Sequence, residues 1–476
     1  MKTKSVALYL LYAIFSFISC SDVKKSPVDY VSPYMGNISH LLVPTYPTVH
    51  LPNSMLRVYP ERNEYTSDRI NGLPVVVTGH CRSSSFNISP VSGQSSRLET
   101  VKKYSYDNEK ICPYRYSVYL DEEKIQVDYA PSHQSGVYSI SFEEGHLNQL
   151  IISAGNGKLE FTGAGVSGYQ VVNRGPDKVY IYLETEQPVK NAGMLKSRVI
   201  NYSQSIVEGR DEALVLDFSS NTINLRYGIS FISVEQAREN LNREITTYCV
   251  DEIAETGRRI WNEALGKIQI SGGSESSKTV FYTSLYRVYE HMINISEDGD
   301  APHNPADLIQ LLGSPENFVN NPDCTFYESL HIPYLYNYAG QPWKTQKHIR
   351  TLLKQWFRND LMGVPGDEDG GGLSAFVVFS SMGFYPVTPG SPTYNIGSPL
   401  FKSIKLNLGN GKFFEIEARN CSEENKYIQS ALLNGAEWNK PWFSHSDIAN
   451  GGKLVLEMGD IANKNWGSDN SFPNFF

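Results

Sequence analysis

The hydrophobic pattern of this chain changes its period near residue 232, and this change constrains the fold more than any other feature. Before that point, apolar and β-branched residues form short segments that Gly, Asn, Asp and Pro separate. The clearest segments are residues 137–142, 149–155, 178–186 and 213–220. Because no helical segment lies between them, they predict an N-terminal β-sandwich domain over residues 27–232 rather than a parallel sheet.

From Ser233 onward the apolar residues recur at helical spacing. Ser233 is a suitable N-cap, Glu235 stands in the first turn, and the pattern continues to Leu265. We therefore expect a linker helix region over residues 233–276 that crosses between two domains. Further helices are predicted over residues 277–292, 305–313, 344–359 and 373–382, within a thin helical domain that spans residues 277–393.

Strand patterns return in the last part of the chain, residues 394–476. Residues 402–419 predict a hairpin whose turn is Gly409-Asn410-Gly411, and residues 453–459 predict a further strand. The sequence therefore indicates a multidomain α and β protein. It has a β-sandwich, a linker helix, a small helical domain and a C-terminal β element.

The first 20 residues have the pattern of a secretory signal. Lys2 and Lys4 precede an apolar run of about 13 residues, which is too short to span a bilayer comfortably. The ending FISC resembles a bacterial lipoprotein signal, in which a lipid is attached to Cys20; the alternative is an ordinary signal peptide. Both interpretations place the protein outside the cytoplasm. We expect a lipid anchor in the periplasm or on the outer-membrane surface.

The composition argues against nucleic acid as a partner. The formal net charge is -9 and no long Lys/Arg run occurs, so a surface that follows nucleic-acid phosphates is not expected. The chain contains 30 Tyr and 21 Phe, and such rings line clefts in which they stack on sugar faces and donate hydrogen bonds.

The stretch GDEDGGGLSAF, residues 366–376, places Asp367, Glu368 and Asp369 directly before three glycines. One interpretation is helix capping, because exposed N–H groups and the helix dipole favour acidic residues there. The other is a functional carboxylate cluster, held at the mouth of a buried helix and suited to a hard cation or a general base. An EF-hand is excluded, because Val378 stands where the bidentate Glu is required.

Two further segments carry candidate site residues. Residues 326–350 are rich in aromatics, and they form either a core turn or a second source of carboxylate near the acidic cluster. Two carboxylate sources that face one pocket suit metal binding or glycoside hydrolysis. The Pro-rich residues 40–62 include His40, His50 and Arg57, which are either structural or part of one wall of an interdomain cleft.

Three stretches together resemble glycoside hydrolase family 92, the calcium-dependent exo-α-mannosidases that act with inversion. They are HIPYLYNYAGQPWKTQ, GVPGDEDGGGLSAFVVFSSMGFYPVTPG and YNIGSPLF, and the segment HLLVPTYPTVHLPNSMLRVYPER is similar to the first domain of one branch of the family. The resemblance implies an N-terminal β-sandwich, a linker helix and a catalytic (α/α)6 toroid. Calcium would hold the terminal mannose in a cleft between them.

The resemblance also implies roles for individual residues. Asp367 and Asp369 match the pair that positions and deprotonates the attacking water, and Asp369 with Glu328 would lie near the calcium. The partner would be a mannose-containing oligosaccharide or glycoprotein glycan. The residues that we assign to substrate binding are His40, His50, Arg57, His331 and Trp343.

The chain departs from the family pattern inside the toroid. Stretches that normally stand far apart meet near Gly299–Pro302, so we predict a truncated helical domain. The family's general acid, a Glu in an E-G-x-x-W-like stretch, is absent; Glu144 and Glu208 precede glycines but lack the downstream aromatic residue. In addition, Tyr327 occupies the family's Glu position, and Glu328 stands one residue later.

Three hypotheses remain open at this point. The chain is an extracytoplasmic exo-α-mannosidase, or a lipoprotein that binds mannosides without cleaving them, or the inactive product of an internal deletion. The acidic cluster supports the first two equally, and the absent acid argues against turnover.

Overall fold

The computed structural model describes most of the chain. The described residues are 25–39, 43–62, 66–78, 84–92, 98–143, 147–172, 177–290, 293–294, 297, 330–366, 368–388 and 391–469, with only the backbone of Asp369.

The N-terminal half of the chain is built from strands. In chain order they are β1 Val49–His50, β2 Arg57–Val58, β3 Arg69–Asn71, β4 Leu73–Val77, β5 Ser84–Ser92, β6 Lys103–Cys112, β7 Arg115–Leu120, β8 Ile125–Pro131, β9 Ser135–Phe142, β10 Asn148–Ser153, β11 Gly157–Phe161, β12 Val166–Val171, β13 Lys178–Thr185, β14 Asn191–Lys196, β15 Val199–Asn201, β16 Ile206–Glu208, β17 Glu212–Phe218 and β18 Thr222–Ser230.

These strands form a sandwich of two main sheets. In the described residues, one sheet has ten strands in the order β16-β11-β12-β13-β18-β9-β8-β7-β6-β3, and the other has six in the order β15-β14-β17-β10-β5-β4. Leu150 and Leu214 of the smaller sheet pack in one core with Val118, Ile140 and Leu225 of the larger sheet. The predicted β-sandwich is therefore confirmed, and its four clearest strand patterns correspond to β9, β10, β13 and β17.

The helices lie mostly in the second half. They are α1 Val234–Glu244, α2 Val250–Leu265, α3 Glu275–Val288, α4 Leu335–Tyr338, α5 Pro342–Trp356, α6 Gly372–Met382 and α7 His445–Ile448. The single linker helix expected from the sequence is in fact two helices. Ser233 caps α1 as predicted, but Ile245 has extended backbone angles, φ -127 and ψ 105, so α1 ends before it. The β-branched residues Thr246 and Thr247 follow, and α2 begins only after Cys249.

Helix α2 crosses from the sandwich to the second half of the molecule. Val250 and Ala254 at its start pack with α1 against the ten-stranded sheet. Trp261 and Leu265 at its end belong to a second core, which α3, α6 and the C-terminal strands complete. The predicted linker is thus a structural bridge between two cores.

The helical domain is small, as the sequence predicted. Of the helices in the described ranges beyond the linker, α3, α5 and α6 exceed two turns, and Val280, Ile349, Leu353 and Phe376 form their shared core. The helix predicted over residues 305–313 lies outside the described residues. The fold is therefore that of a truncated helical domain between two β-rich parts.

The C-terminal β element confirms the predicted hairpin. Its strands, with one contributed by the linker, are β19 Ile268–Ser271, β20 Phe384–Tyr385, β21 Thr393–Ile396, β22 Ser403–Asn407, β23 Phe413–Arg419, β24 Tyr427–Leu433, β25 Ala436–Glu437, β26 Trp442–Ser444 and β27 Gly452–Gly459. Gly409 and Gly411, both at φ 78, form the turn between β22 and β23. None of the helices in the described ranges combines the length and apolar character that crossing a bilayer requires.

Candidate active site

The acidic stretch of the sequence leads directly into the buried helix α6. Residues 368–371, here called the acidic turn, form a short turn at its start. The carboxyl of Glu368 accepts hydrogen bonds from the N–H groups of Gly371 at 2.9 Å and Ser374 at 3.2 Å. Helix capping, one of the two interpretations of this stretch, is therefore confirmed for Glu368.

Two of the glycines in the acidic turn have conformations that side chains rarely adopt. Gly370 has φ 72 and Gly371 has φ 102, both in the left-handed region. A Cβ atom on Gly371 would lie 3.1 Å from the Cα of Val288, the last residue of α3. The glycines thus let the acidic turn pack directly against the end of α3.

Glu368 is buried, with 8% of its surface exposed. Burial, together with the nearby charge of Glu290, raises the pKa of its carboxyl to about 7. The Arg287 guanidinium and the hydrogen bonds from Ser374 and Gly371 act in the opposite direction. Near neutral pH this carboxyl is therefore divided between its protonated and ionised forms.

The end of α3 also binds the N-terminal part of the chain. The buried guanidinium of Arg287 donates to the carbonyl of Met35 and, at 3.1 Å, to the hydroxyl of Thr45. One turn of helix thus contacts both the acidic turn and residues that precede the sandwich strands.

The chain just before the acidic turn lies along the same N-terminal segment. The N–H of Gly36 donates to the carbonyl of Asp360 at 3.3 Å, and the N–H of Ile38 donates to the carbonyl of Leu361 at 2.9 Å. The hydroxyl of Ser39 donates to the carbonyl of Pro365 at 3.0 Å. The acidic turn therefore lies at the boundary between the N-terminal part and the helical domain.

His50 and Arg57, two predicted substrate-binding residues, lie close to the end of α3. The Arg57 guanidinium is 3.7 Å from the carboxylate of Glu290. The Nδ1 atom of His50 is 2.9 Å from the carbonyl of Leu51, which can only accept, so Nδ1 carries the proton. Burial lowers the pKa of His50, which keeps the ring neutral. Its Nε2 is then a buried acceptor, and it has no partner among the described residues.

His331 and Trp343 lie elsewhere in the described structure. His331 precedes a short turn at Ile332–Tyr334, and Trp343 stands in the first turn of α5. The Trp343 ring faces the ammonium of Lys464, at 5.7 Å, in the C-terminal element. No contact in the described part of the chain joins either residue to the acidic turn, so their assignment stays a prediction.

His40, Glu328 and Asp367 lie outside the described residues, as does the side chain of Asp369. Within the ranges that the structure describes, no three His, Cys, Asp or Glu side chains form a metal-ligand group. The predicted metal ligands therefore stay predictions.

Sequence reasoning did not single out Glu368, Arg287 or Glu290 as site residues. Each is a charged residue in or beside a largely buried segment, where an ion pair or hydrogen bonds are required. Of the three, Arg287 was the easiest to recognise from the sequence, because a charged residue in the apolar stretch of α3 requires a buried partner.

Comparison with known families covers most of the chain. The model described as the glycosyl hydrolase family 92 N-terminal domain matches residues 30–230. The model described as the glycosyl hydrolase family 92 catalytic domain matches in two segments, residues 236–301 and 300–460. The two segments meet at the predicted join near Gly299–Pro302.

A curated relative is similar over a shorter stretch. It is an uncharacterized secreted glycosidase of Arthroderma benhamiae, 35% identical over 179 residues. The match covers 35% of this chain and 23% of the relative, so the chain spans about a quarter of that protein.

Two solved structures share the fold. An inverting mannosidase of family GH92 from Bacteroides thetaiotaomicron VPI-5482 matches with a TM-score of 0.81 and 20% identity, covering 95% of this chain and 99% of that chain. A GH92 alpha-mannosidase from Bacteroides thetaiotaomicron, in complex with mannoimidazole, matches with a TM-score of 0.80 and 16% identity, covering 94% and 96%.

Proposed function

Because the chain belongs to glycosyl hydrolase family 92, we propose that it is an extracytoplasmic, inverting exo-α-mannosidase that acts on mannose-containing glycans. One observation carries the proposal: the acidic turn lies at the mouth of a buried helix and packs on the end of α3, and the chain just before it pairs with the N-terminal segment. A terminal sugar at this boundary would meet carboxylates from one side and the N-terminal residues from the other.

The proposed chemistry assigns the attacking water to Asp367 and Asp369, which flank Glu368 in the sequence. A carboxylate that takes a proton from a water molecule makes that water more nucleophilic towards the anomeric carbon of the sugar. Inversion follows when the base and the acid stand roughly 6.5 to 9.5 Å apart, which leaves room for the water. By accepting from Gly371 and Ser374, Glu368 holds the turn that includes the backbone of Asp369.

We propose calcium as the cofactor, held by Asp369 and Glu328. The acidic stretch offers carboxylate oxygens, and hard oxygen donors are the ligands that calcium prefers, so the chemistry of the donor set fits. When bound, calcium would bind two adjacent sugar hydroxyls and favour ring distortion towards the transition state.

Substrate binding is proposed for His40, His50, Arg57, His331 and Trp343. His50 has a specific supporting feature, since its buried Nε2 is an acceptor without a described partner. A sugar hydroxyl that donates to this atom would satisfy it. A lipid on Cys20 would anchor the mature protein outside the cytoplasm.

A second candidate function is mannoside binding without cleavage. The catalytic-domain model matches in two segments that meet at residues 300 and 301. The family resemblance implies that the stretch with the general acid is missing there. Loss of a general acid typically lowers the rate about 10²- to 10⁴-fold for a poor leaving group. The chain would then be a lipoprotein that retains the sugar site but not turnover.

One assay separates the two functions. The mature chain and its Asp369→Asn variant are incubated with an aryl α-mannoside and with α-linked mannobiose, with calcium or with chelator. Calcium-dependent release from both substrates, absent in Asp369→Asn, supports the mannosidase. Release from the aryl substrate alone indicates a missing acid, and binding without release supports the second function. Equal behaviour of wild type and variant in every condition contradicts both.

A further inference from the structure

A groove of about 1240 Å³ opens between the start of α3, the last turns of α5 and the C-terminal β element. Ser381, near the end of α6, also lines it. The acidic turn stands at the other end of α6, ten residues or about 15 Å away along the helix axis. The groove is therefore distinct from the proposed catalytic site.

Positive charge dominates the groove. Of the described side chains that line it, five are cationic and two are acidic. Both acidic groups are already paired, Glu423 with Lys354 and Asp360 with Arg358 at 2.8 Å. The remaining three cations have no acidic side chain in the groove to neutralise them.

These three cations are Arg350, Lys402 and Lys426. None of them makes an ion pair with an acidic side chain in the described ranges. The Arg350 guanidinium is held by neutral acceptors, the Ser398 hydroxyl at 3.0 Å and the Ser422 carbonyl at 2.6 Å. Burial lowers the pKa of Arg350, which reflects a cation removed from water without a counter-ion. An anion in the groove would supply that counter-ion.

The rest of the lining adds hydroxyl groups and apolar surface. Ser276 and Ser277 at the start of α3 offer hydroxyl groups. Leu353 and Phe357 form apolar wall. Esters of sulfate and phosphate accept charge-assisted hydrogen bonds from Lys and Arg, and sugar rings pack on apolar and aromatic surface. The volume exceeds what one inorganic anion fills and suits several linked sugars.

We propose that this groove binds an oligosaccharide carrying sulfate or phosphate esters, with Arg350, Lys402 and Lys426 as the counter-ions of the ester groups. This binding is independent of cleavage at the acidic turn. It would hold an anionic part of a glycan or a neighbouring polysaccharide next to the enzyme.

Calorimetry on the mature chain tests the proposal with four probes: a sulfated heparin tetrasaccharide, inorganic sulfate, inorganic phosphate and neutral α-mannotetraose. Lys402→Ala/Lys426→Ala removes two charges from the groove, the exposed Lys402 and the partly buried Lys426, and leaves Arg350 in place. The control Lys190→Ala/Lys347→Ala makes the same change in net charge at exposed lysines outside it. Circular dichroism and melting temperature establish that both variants fold.

We expect the tetrasaccharide to bind the wild type and the control within twofold of each other. Affinity should fall about tenfold or more in the groove variant, because charge-assisted hydrogen bonds are lost. Binding of mannotetraose, which would report on the catalytic site, should not change. The proposal is overturned if the tetrasaccharide does not bind, if both variants weaken it equally, or if only the inorganic anions bind. If the wild type binds the tetrasaccharide but not mannotetraose, this proposal stands and the proposed function is contradicted.

Discussion

Glu368 shows how one side chain can have a structural role inside a proposed catalytic sequence. Its two carboxyl oxygens accept from Gly371 and Ser374, so it closes the first turn of α6. At the scale of single residues, one of three successive acidic residues therefore has a capping role.

Replacement of Glu368 should therefore destabilise the protein. We expect Glu368→Ala to lower the free energy of unfolding by about 1–3 kcal/mol, because two buried N–H groups lose their acceptor. Glu368→Gln keeps one acceptor oxygen and should cost less than the alanine variant. Urea denaturation measures both. Equal stability of Glu368→Ala and wild type would show that the capping contacts contribute nothing.

The partly buried carboxyl of Glu61 makes the free energy of unfolding depend on pH. Burial raises the pKa of its carboxyl from 4.5 to about 7. The folded state therefore binds a proton that the unfolded state releases above about pH 4.5, and this contribution is lost as the pH rises through 7. Relative to Glu61→Gln, the wild type should lose about 1–3 kcal/mol of stability between pH 4.5 and pH 8. Urea denaturation across this range checks it; a constant difference between the two proteins would contradict it.

At the scale of elements, the glycines of the acidic turn are as important as its carboxylates. Gly371 combines a left-handed backbone with a close approach to Val288. Gly209 has a similar φ of 93, but a Cβ there would meet nothing within 4 Å. A comparison of alanine substitutions at Gly371 and Gly209 therefore separates the cost of backbone strain from the cost of steric contact.

We expect Gly371→Ala to destabilise the protein more than Gly209→Ala. Both variants carry the strain of a positive φ, about 1–2 kcal/mol. Only Gly371→Ala must also move α6 away from α3, which should lower calcium-dependent mannoside binding. Thermal unfolding and calorimetry measure the two effects. Equal losses of stability in the two variants would mean that the acidic turn can shift without cost.

Sequence patterns predicted the elements whose signal is local. The strands around Val137 and Lys178, the apolar helix α6 and the Ser233 cap all have spacing that one segment reveals. The break at Ile245 was missed, because the apolar positions of α1 and α2 continue one helical period across it. β19 was missed because four residues become a strand only by pairing with β22, over 130 positions later.

The candidate site was also predicted only where its signal is local in the sequence. The sequence indicated that the acidic cluster stands at a helix mouth. Which carboxyl turns inward depends on the backbone angles at Glu368 and the left-handed glycines after it. The contacts of Arg287 with Met35 and Thr45 join residues that are more than 240 positions apart, so no local pattern predicts them.

At the scale of the whole molecule, the two halves meet around the end of α3. Arg287 binds the N-terminal segment, Glu290 faces Arg57 of the sandwich, and the acidic turn packs on Val288. The truncated helical domain keeps this meeting point, which is where we propose the sugar site.

The most direct test is calorimetric titration of α-linked mannobiose into the mature wild type and its Asp369→Asn variant, with calcium and with chelator. The account predicts that the wild type binds only with calcium and that Asp369→Asn binds at least about tenfold more weakly, since a charged contact is lost. Equal affinities in all four conditions, or no binding in any of them, would contradict it.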